Sequence, residues 1–180
     1  MFPLNLPNVL TLARILLVPV LVVALLDETS NGDVLAAVVF AIASVTDFVD
    51  GWLARSRGAI TSFGKLMDPI ADKLLVIAAL VSLVSLGRLA GWIAMVIIAR
   101  EVAVTIARAQ APEVIPAANL GKLKTVLQIA AIFFLILLDP SPVWVDALMY
   151  LAVAVTVLSG ATFFLDLKRR EIREGLGPSS

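Results

Sequence analysis

The chain contains no cysteine and no histidine. Without cysteine there are no disulfides and no thiolate nucleophiles. Without either residue there is no Cys/His zinc site, and without histidine there is no imidazole general base. Any acid–base or metal chemistry falls to aspartate and glutamate, with lysine and arginine as electrostatic partners. Charge is also scarce. Only 16% of the 180 residues are charged and 61% are hydrophobic, against about a quarter and about a half in a soluble domain. No basic segment precedes the first apolar run and further runs follow it, so no cleavable signal peptide is expected. The formal net charge is zero. Bulk charge therefore points to no partner, and no nucleic-acid ligand is expected.

What the chain does contain is apolar runs of roughly 18 to 22 residues, the length that crosses a hydrocarbon core of about 30 Å. They predict an all-α, polytopic membrane protein with six transmembrane helices in residues 1–167 and a charged tail over 168–180. The first run reaches Leu26. Pro7 suits its start, Asn8 or Thr11 can cap it, and Arg14 can snorkel to the surface. Asp27 to Asp33, with Asn31-Gly32, reads as a polar turn. The second run covers Val34 to Leu53, and Arg55, Arg57 and Gly58 read as a basic linker. The third covers Ser62 to Leu86, the fourth Ala90 to Ala109, the fifth Leu120 to Leu138 and the sixth Val143 to Leu165. Asp139-Pro140-Ser141-Pro142 breaks the fifth from the sixth. The tail KRREIREGLGPSS reads as charged and then disordered, its basic part an anchor for anionic lipid headgroups.

Orientation follows from lysine and arginine near the turns. The first, third and fifth turns hold Arg88 alone. The second and fourth turns, the tail and the adjoining helix ends hold Arg55, Arg57, Lys65, Arg100, Arg108, Lys122, Lys124, Lys168, Arg169, Arg170 and Arg173. Both termini and the even turns are therefore expected on the cytoplasmic side of the inner membrane.

The stretch from Asp47 to Lys73, DFVDGWLARSRGAITSFGKLMDPIADK, straddles the second turn. Carboxylates beside membrane helices are costly and point to a functional site. Asp47 and Asp50 lie about 60° apart on a helix, and Asp68 and Asp72 about 40° apart, so each pair shares a face. Four converging carboxylates would protonate or bind cations. Hard oxygen ligands suit two Mg²⁺ or Mn²⁺ ions, a pair that can clamp an in-line phosphoryl displacement. Gly51 and Gly64 admit a ligand to the backbone, Ala54 keeps one face open, and Arg55 can pair with a phosphate. The plainer alternative is helix-end acids pairing with Arg55, Arg57, Lys65 and Lys73.

The spacing Asp47-x2-Asp50-Gly51-x2-Ala54-Arg55-x8-Gly64-x3-Asp68-x3-Asp72 resembles the signature of the CDP-alcohol phosphatidyltransferases at every fixed position. The resemblance implies transfer of a phosphatidyl or similar group from a CDP-linked donor to an alcohol, with release of CMP. It implies that Asp47, Asp50, Asp68 and Asp72 bind two metal ions and that Asp72 also takes the proton of the acceptor hydroxyl. It implies that Gly51, Ala54, Arg55 and Gly64 line the nucleotide site, and that the protein is a homodimer. Thr61, Asn8 and Thr11 are further candidates for the nucleotide; Thr61 and Asn8 can equally serve as caps.

Other stretches, NLPNVLTLAR, GKLMDPIADKLL, AREVAVTIAR and GKLKT, resemble family members that take CDP-diacylglycerol as donor and glycerol 3-phosphate as acceptor. That acceptor is a dianion and needs fixed cations. Arg100, Arg108, Lys122 and Lys124 are the candidates, with Glu101 to orient one of them; the alternative is ordinary membrane-surface anchors. Phosphatidylglycerol, inositol phosphate or serine are the rival acceptors. A cation transporter is the rival class, but it would show two similar halves, and the aspartate pattern occurs once.

Overall fold

The computed structural model describes the backbone of residues 6–57, 62–110 and 119–175, and the side chains of 12–46, 73–108 and 120–169. The described residues form six helices: α1 Leu6–Leu26, α2 Ser30–Arg57, α3 Ser62–Ser85, α4 Gly91–Gln110, α5 Asn119–Leu137 and α6 Val143–Gly175. There is no strand among the described residues. α1 packs against α2 and α3, α5 lies against α6 and α2, and α4 bridges α3 and α6.

The start of α2 is fixed by Thr29. Its Oγ1 accepts the Gly32 N–H at 3.0 Å, a side-chain cap for an otherwise unpaired first-turn donor. Asn31-Gly32 therefore lies inside the helix rather than in a turn. Glycine is needed for another reason, because a Cβ on Gly32 would stand 2.5 Å from the Ala24 carbonyl oxygen of α1. α3 ends in a Schellman turn. Gly87, at φ +71°, sends its N–H to the Val84 carbonyl, and the Arg88 N–H reaches the Leu83 carbonyl. Only glycine takes that φ without strain, and the turn throws Arg88 back across the end of the bundle.

Two boundaries differ from the sequence reading. α2 continues through Arg55 and Arg57, and α6 continues through KRREIREG. Both extensions consist mainly of good helix formers, and hydropathy marks where the apolar run stops rather than where the helix does. A third difference is Arg14. It is 3% exposed and does not snorkel. It occupies the same stripe of α1 as the buried Leu21 and Leu25, seven and eleven residues on, so its helix face turns it inward.

The interior is apolar: Leu25, Phe40, Leu80, Ile97, Ile132 and Met149 are buried. The exterior is apolar too, with Leu16, Val23, Ile42, Met95, Val126 and Leu158 exposed. Such an outer surface suits lipid rather than water as solvent. Among the described residues, Leu120–Leu137 and Val143–Arg169 are each long and apolar enough to cross a membrane, while Leu12–Leu26, Ser30–Thr46 and Lys73–Ser85 are shorter apolar stretches. In α4 the apolar run is interrupted by Arg100 and Glu101.

Candidate active site

The second half of α2 carries Asp47, Asp50, Gly51, Ala54 and Arg55, and the first half of α3 carries Gly64, Asp68 and Asp72. Asn8 and Thr11 lie on α1. The side chains of these residues, and Thr61 altogether, fall outside the described residues. The two aspartate-bearing helices touch each other and share α1 as a neighbour. Among the described residues no cluster of three or more carboxylates forms a metal site. The donor set still fits a hard divalent ion. Four carboxylates stand at i,i+3 and i,i+4 spacing on two helices in contact, and the chain offers no softer ligand of the Cys/His type.

Immediately after Asp72 the described side chains begin, and they form a connected polar cluster. Lys73 donates through Nζ to Thr105 Oγ1 on α4, and Thr105 donates in turn to the Glu101 backbone carbonyl at 2.6 Å. The Glu101 carboxylate accepts from two cations. Lys124 Nζ of α5 reaches Oε1, and Arg100 Nη1 reaches the same oxygen at 3.3 Å. Arg100 Nη2 donates to Ser159 Oγ of α6 at 2.7 Å. The cluster thus ties α3, α4, α5 and α6 together. A cavity of about 50 Å³ adjoins it, lined by Lys73, Glu101, Lys124 and Gln128 together with apolar residues such as Leu80 and Ile97. Gln128 donates to Thr156 Oγ1 at 2.8 Å, a buried bond that joins α5 to α6.

Charge and donor geometry say what this cluster can do. Arg100 and Lys124 carry two positive charges against one on Glu101, all three side chains less than a fifth exposed. These bonds engage two of the five N–H donors of the Arg100 guanidinium. Its Nε is buried and has no acceptor among the described residues. Spare planar donors on a guanidinium suit a phosphate.

The four candidate cations separate into two groups. Arg100 and Lys124 converge on Glu101. Lys122, two residues before Lys124, is exposed, because a two-residue step turns about 200° around a helix. Arg108 is also exposed, and its guanidinium lies 5.4 Å from the centre of the Phe163 ring. Ser159, Thr105 and the Gln128–Thr156 pair were not singled out from the sequence. Their signal is polar side chains within largely apolar helices, where such groups join neighbouring helices.

An aspartate motif carried on two touching helices of an all-helical bundle is the pattern of a membrane phosphotransferase family. The family model described as CDP-alcohol phosphatidyltransferase matches residues 4–158, and the chain belongs to that family. It is similar to the CDP-diacylglycerol–glycerol-3-phosphate 3-phosphatidyltransferase of Bacillus subtilis (strain 168), with 43% identity covering 89% of this chain and 93% of the relative. It is similar also to a probable phosphatidylglycerophosphate synthase of Mycobacterium tuberculosis (strain H37Rv), with 42% identity over 88% of this chain and 79% of the relative. A Rickettsia felis protein named like the first is 36% identical, over 92% and 96% of the two chains.

Proposed function

We propose that this chain transfers the phosphatidyl group of CDP-diacylglycerol to glycerol 3-phosphate, giving phosphatidylglycerophosphate and CMP. The observation that carries the choice of acceptor is the pair Arg100 and Lys124 on Glu101, linked through Thr105 to Lys73, the residue after Asp72. A phosphate-bearing acceptor gains from the spare Arg100 donor in a partly desolvated site beside the helix that carries Asp72. Serine, a zwitterion of no net charge, gains less from those cations than a phosphate does, and among phosphate-bearing acceptors the names of the relatives favour glycerol 3-phosphate.

In this reading Arg100 and Lys124 bind the acceptor phosphate and leave the glycerol hydroxyl free to face α3. Arg108 and Lys122, both exposed, draw the dianion toward the site. Asp47, Asp50, Asp68 and Asp72 would hold two Mg²⁺ or Mn²⁺ ions. Such ions, when bound, neutralise charge developing on the phosphoryl oxygens. The acceptor hydroxyl oxygen forms a bond to the β-phosphorus of the donor, the bond from that phosphorus to the bridging oxygen breaks, and CMP leaves with that oxygen. Asp72 takes the hydroxyl proton, the only kind of base that a chain without histidine and cysteine places in the motif. Gly51, Ala54, Arg55 and Gly64, with Thr61, Asn8 and Thr11, hold the nucleotide.

All six helices cross the cytoplasmic membrane in this account, with both termini and the site on the cytoplasmic side, and the protein works as a homodimer. The distribution of lysine and arginine supports the orientation, and a reporter fused after Ser180 should behave as cytoplasmic. The activity is tested by offering purified protein CDP-diacylglycerol, Mg²⁺ or Mn²⁺, and each alcohol in turn. CMP release and phosphatidylglycerophosphate are expected with glycerol 3-phosphate. Turnover only with phosphatidylglycerol, inositol phosphate or serine would overturn the acceptor assignment.

A further inference from the structure

We infer that Ser159 and Gly160 of α6 are positioning residues for the acceptor phosphate, acting through Arg100; the inference rests on the acceptor role proposed above for that arginine. Two separate observations carry it. The first is the bond from Arg100 Nη2 to Ser159 Oγ at 2.7 Å. Ser159 is 4% exposed, and a hydroxyl in an apolar helix is costly unless it is paired. The second lies at the next residue. A Cβ built on Gly160 would stand 3.2 Å from Arg100 Cγ and 3.7 Å from its Nε. The first of these distances is tighter than ordinary packing, so the missing side chain of Gly160 gives the stem of Arg100 its path.

Together the two residues settle both ends of one long side chain. Gly160 admits the aliphatic stem, Ser159 fixes one terminal nitrogen, and Glu101 fixes the other. An arginine side chain free to move loses considerable rotamer entropy when it grips a ligand. One already held in place loses less, so preorganisation appears as affinity for the acceptor. Small residues on membrane helices also serve plain helix packing. A packing role would disturb both substrates or the fold as a whole, whereas a positioning role falls on the acceptor alone.

The test measures KM for each substrate. Ser159→Ala should raise the KM for glycerol 3-phosphate about five- to tenfold and leave that for CDP-diacylglycerol within about twofold, the scale of one lost hydrogen bond. Ser159→Thr, which keeps the hydroxyl, should restore most of the acceptor affinity. Gly160→Ala should shift the acceptor KM in the same direction as Ser159→Ala. On an Arg100→Ala background, Ser159→Ala should add nothing, since coupled residues are not additive. Equal changes in both KM values, an additive effect on that background, or an unchanged acceptor KM beside a defective Arg100→Ala would overturn the positioning role alone. An unchanged acceptor KM in Arg100→Ala itself would overturn the acceptor site and this inference with it.

Discussion

Two clusters of cations and carboxylates stand in the bundle, one among the turns at one end and one halfway along α3 and α4, and among the described residues the two are built to opposite proportions. At the end bearing the first, third and fifth turns, one cation meets two carboxylates. Arg88 donates to both oxygens of Asp33, at 2.7 and 3.1 Å, and lies 3.0 Å from Asp139. Midway along α4 two cations, Arg100 and Lys124, meet one carboxylate among the described residues, Glu101. The first cluster has no positive charge left over and ties the first turn of α2 to the turns that follow α3 and α5. The second keeps a spare donor on Arg100, whose Nε has no acceptor among the described residues. The same residue types thus form a fastener in one place and the proposed acceptor site in the other, and the spare Arg100 donor marks the difference.

The largest expected effect lies beside the proposed acceptor site. Asp72→Asn keeps the shape of the side chain and one oxygen able to ligate a metal but removes the proposed base. Turnover should fall about 10²-fold or more, the scale of general-base catalysis, while CDP-diacylglycerol still binds in the presence of metal. Full rescue by added Mg²⁺ or Mn²⁺ would reduce Asp72 to a ligand. Next comes Glu101→Gln, which leaves Arg100 and Lys124 close together with no carboxylate between them. Breaking a buried pair from one side costs roughly 3 kcal/mol, so the melting temperature in detergent should drop by several degrees. An unchanged melting temperature would mean that the two cations do not depend on Glu101.

Smaller effects sharpen the contrast. Arg108→Ala and Lys122→Ala remove exposed charges, so the acceptor KM should rise by no more than about threefold at low salt, and the rise should vanish at high ionic strength. A larger, salt-independent rise would place either residue in direct contact with the acceptor. At the clasp, Arg88 titrates above the ordinary guanidinium value, chiefly because of its hydrogen bonds to Asp33, with attraction from Asp33, Asp139 and Glu28 added. A cation whose folded value is raised gives its stabilisation in full below the unfolded value and loses it only as pH rises through the folded one. That window lies beyond any usable alkaline pH. Between pH 7 and pH 10 the stability difference between the native chain and Arg88→Met should stay constant, and a difference that closed over this range would contradict the assignment.

The sequence made one end of this contrast legible and hid the other. The aspartate motif is local, with fixed spacing inside 26 residues, so its chemistry could be read before any contact was known. The helices were legible from their apolar runs, except where charged helix formers carried α2 and α6 past the hydropathy limit. The clasp depends on partners 55 residues apart and on a Schellman turn that aims Arg88, and neither leaves a periodic trace. Arg14 illustrates the same limit. Its position near a helix start suggested snorkelling, but the stripe it shares with Leu21 and Leu25 decides its burial. The separation of Lys122 from Lys124 could have been read from helix geometry alone, while the meeting of Lys124 with Arg100 across two helices could not.

Arg88→Ala and Arg100→Ala, measured side by side for melting temperature and for both KM values, test the contrast most directly. Arg88→Ala should lower the melting temperature by several degrees, because it leaves the mostly buried Asp33 unpaired at a cost of roughly 3 kcal/mol, and should leave both KM values alone. Arg100→Ala should raise the KM for glycerol 3-phosphate about tenfold or more, the value of a charge-assisted hydrogen bond, with the KM for CDP-diacylglycerol little changed. An acceptor KM that rises as much in Arg88→Ala as in Arg100→Ala, or that stays at the native value in Arg100→Ala, would contradict the account.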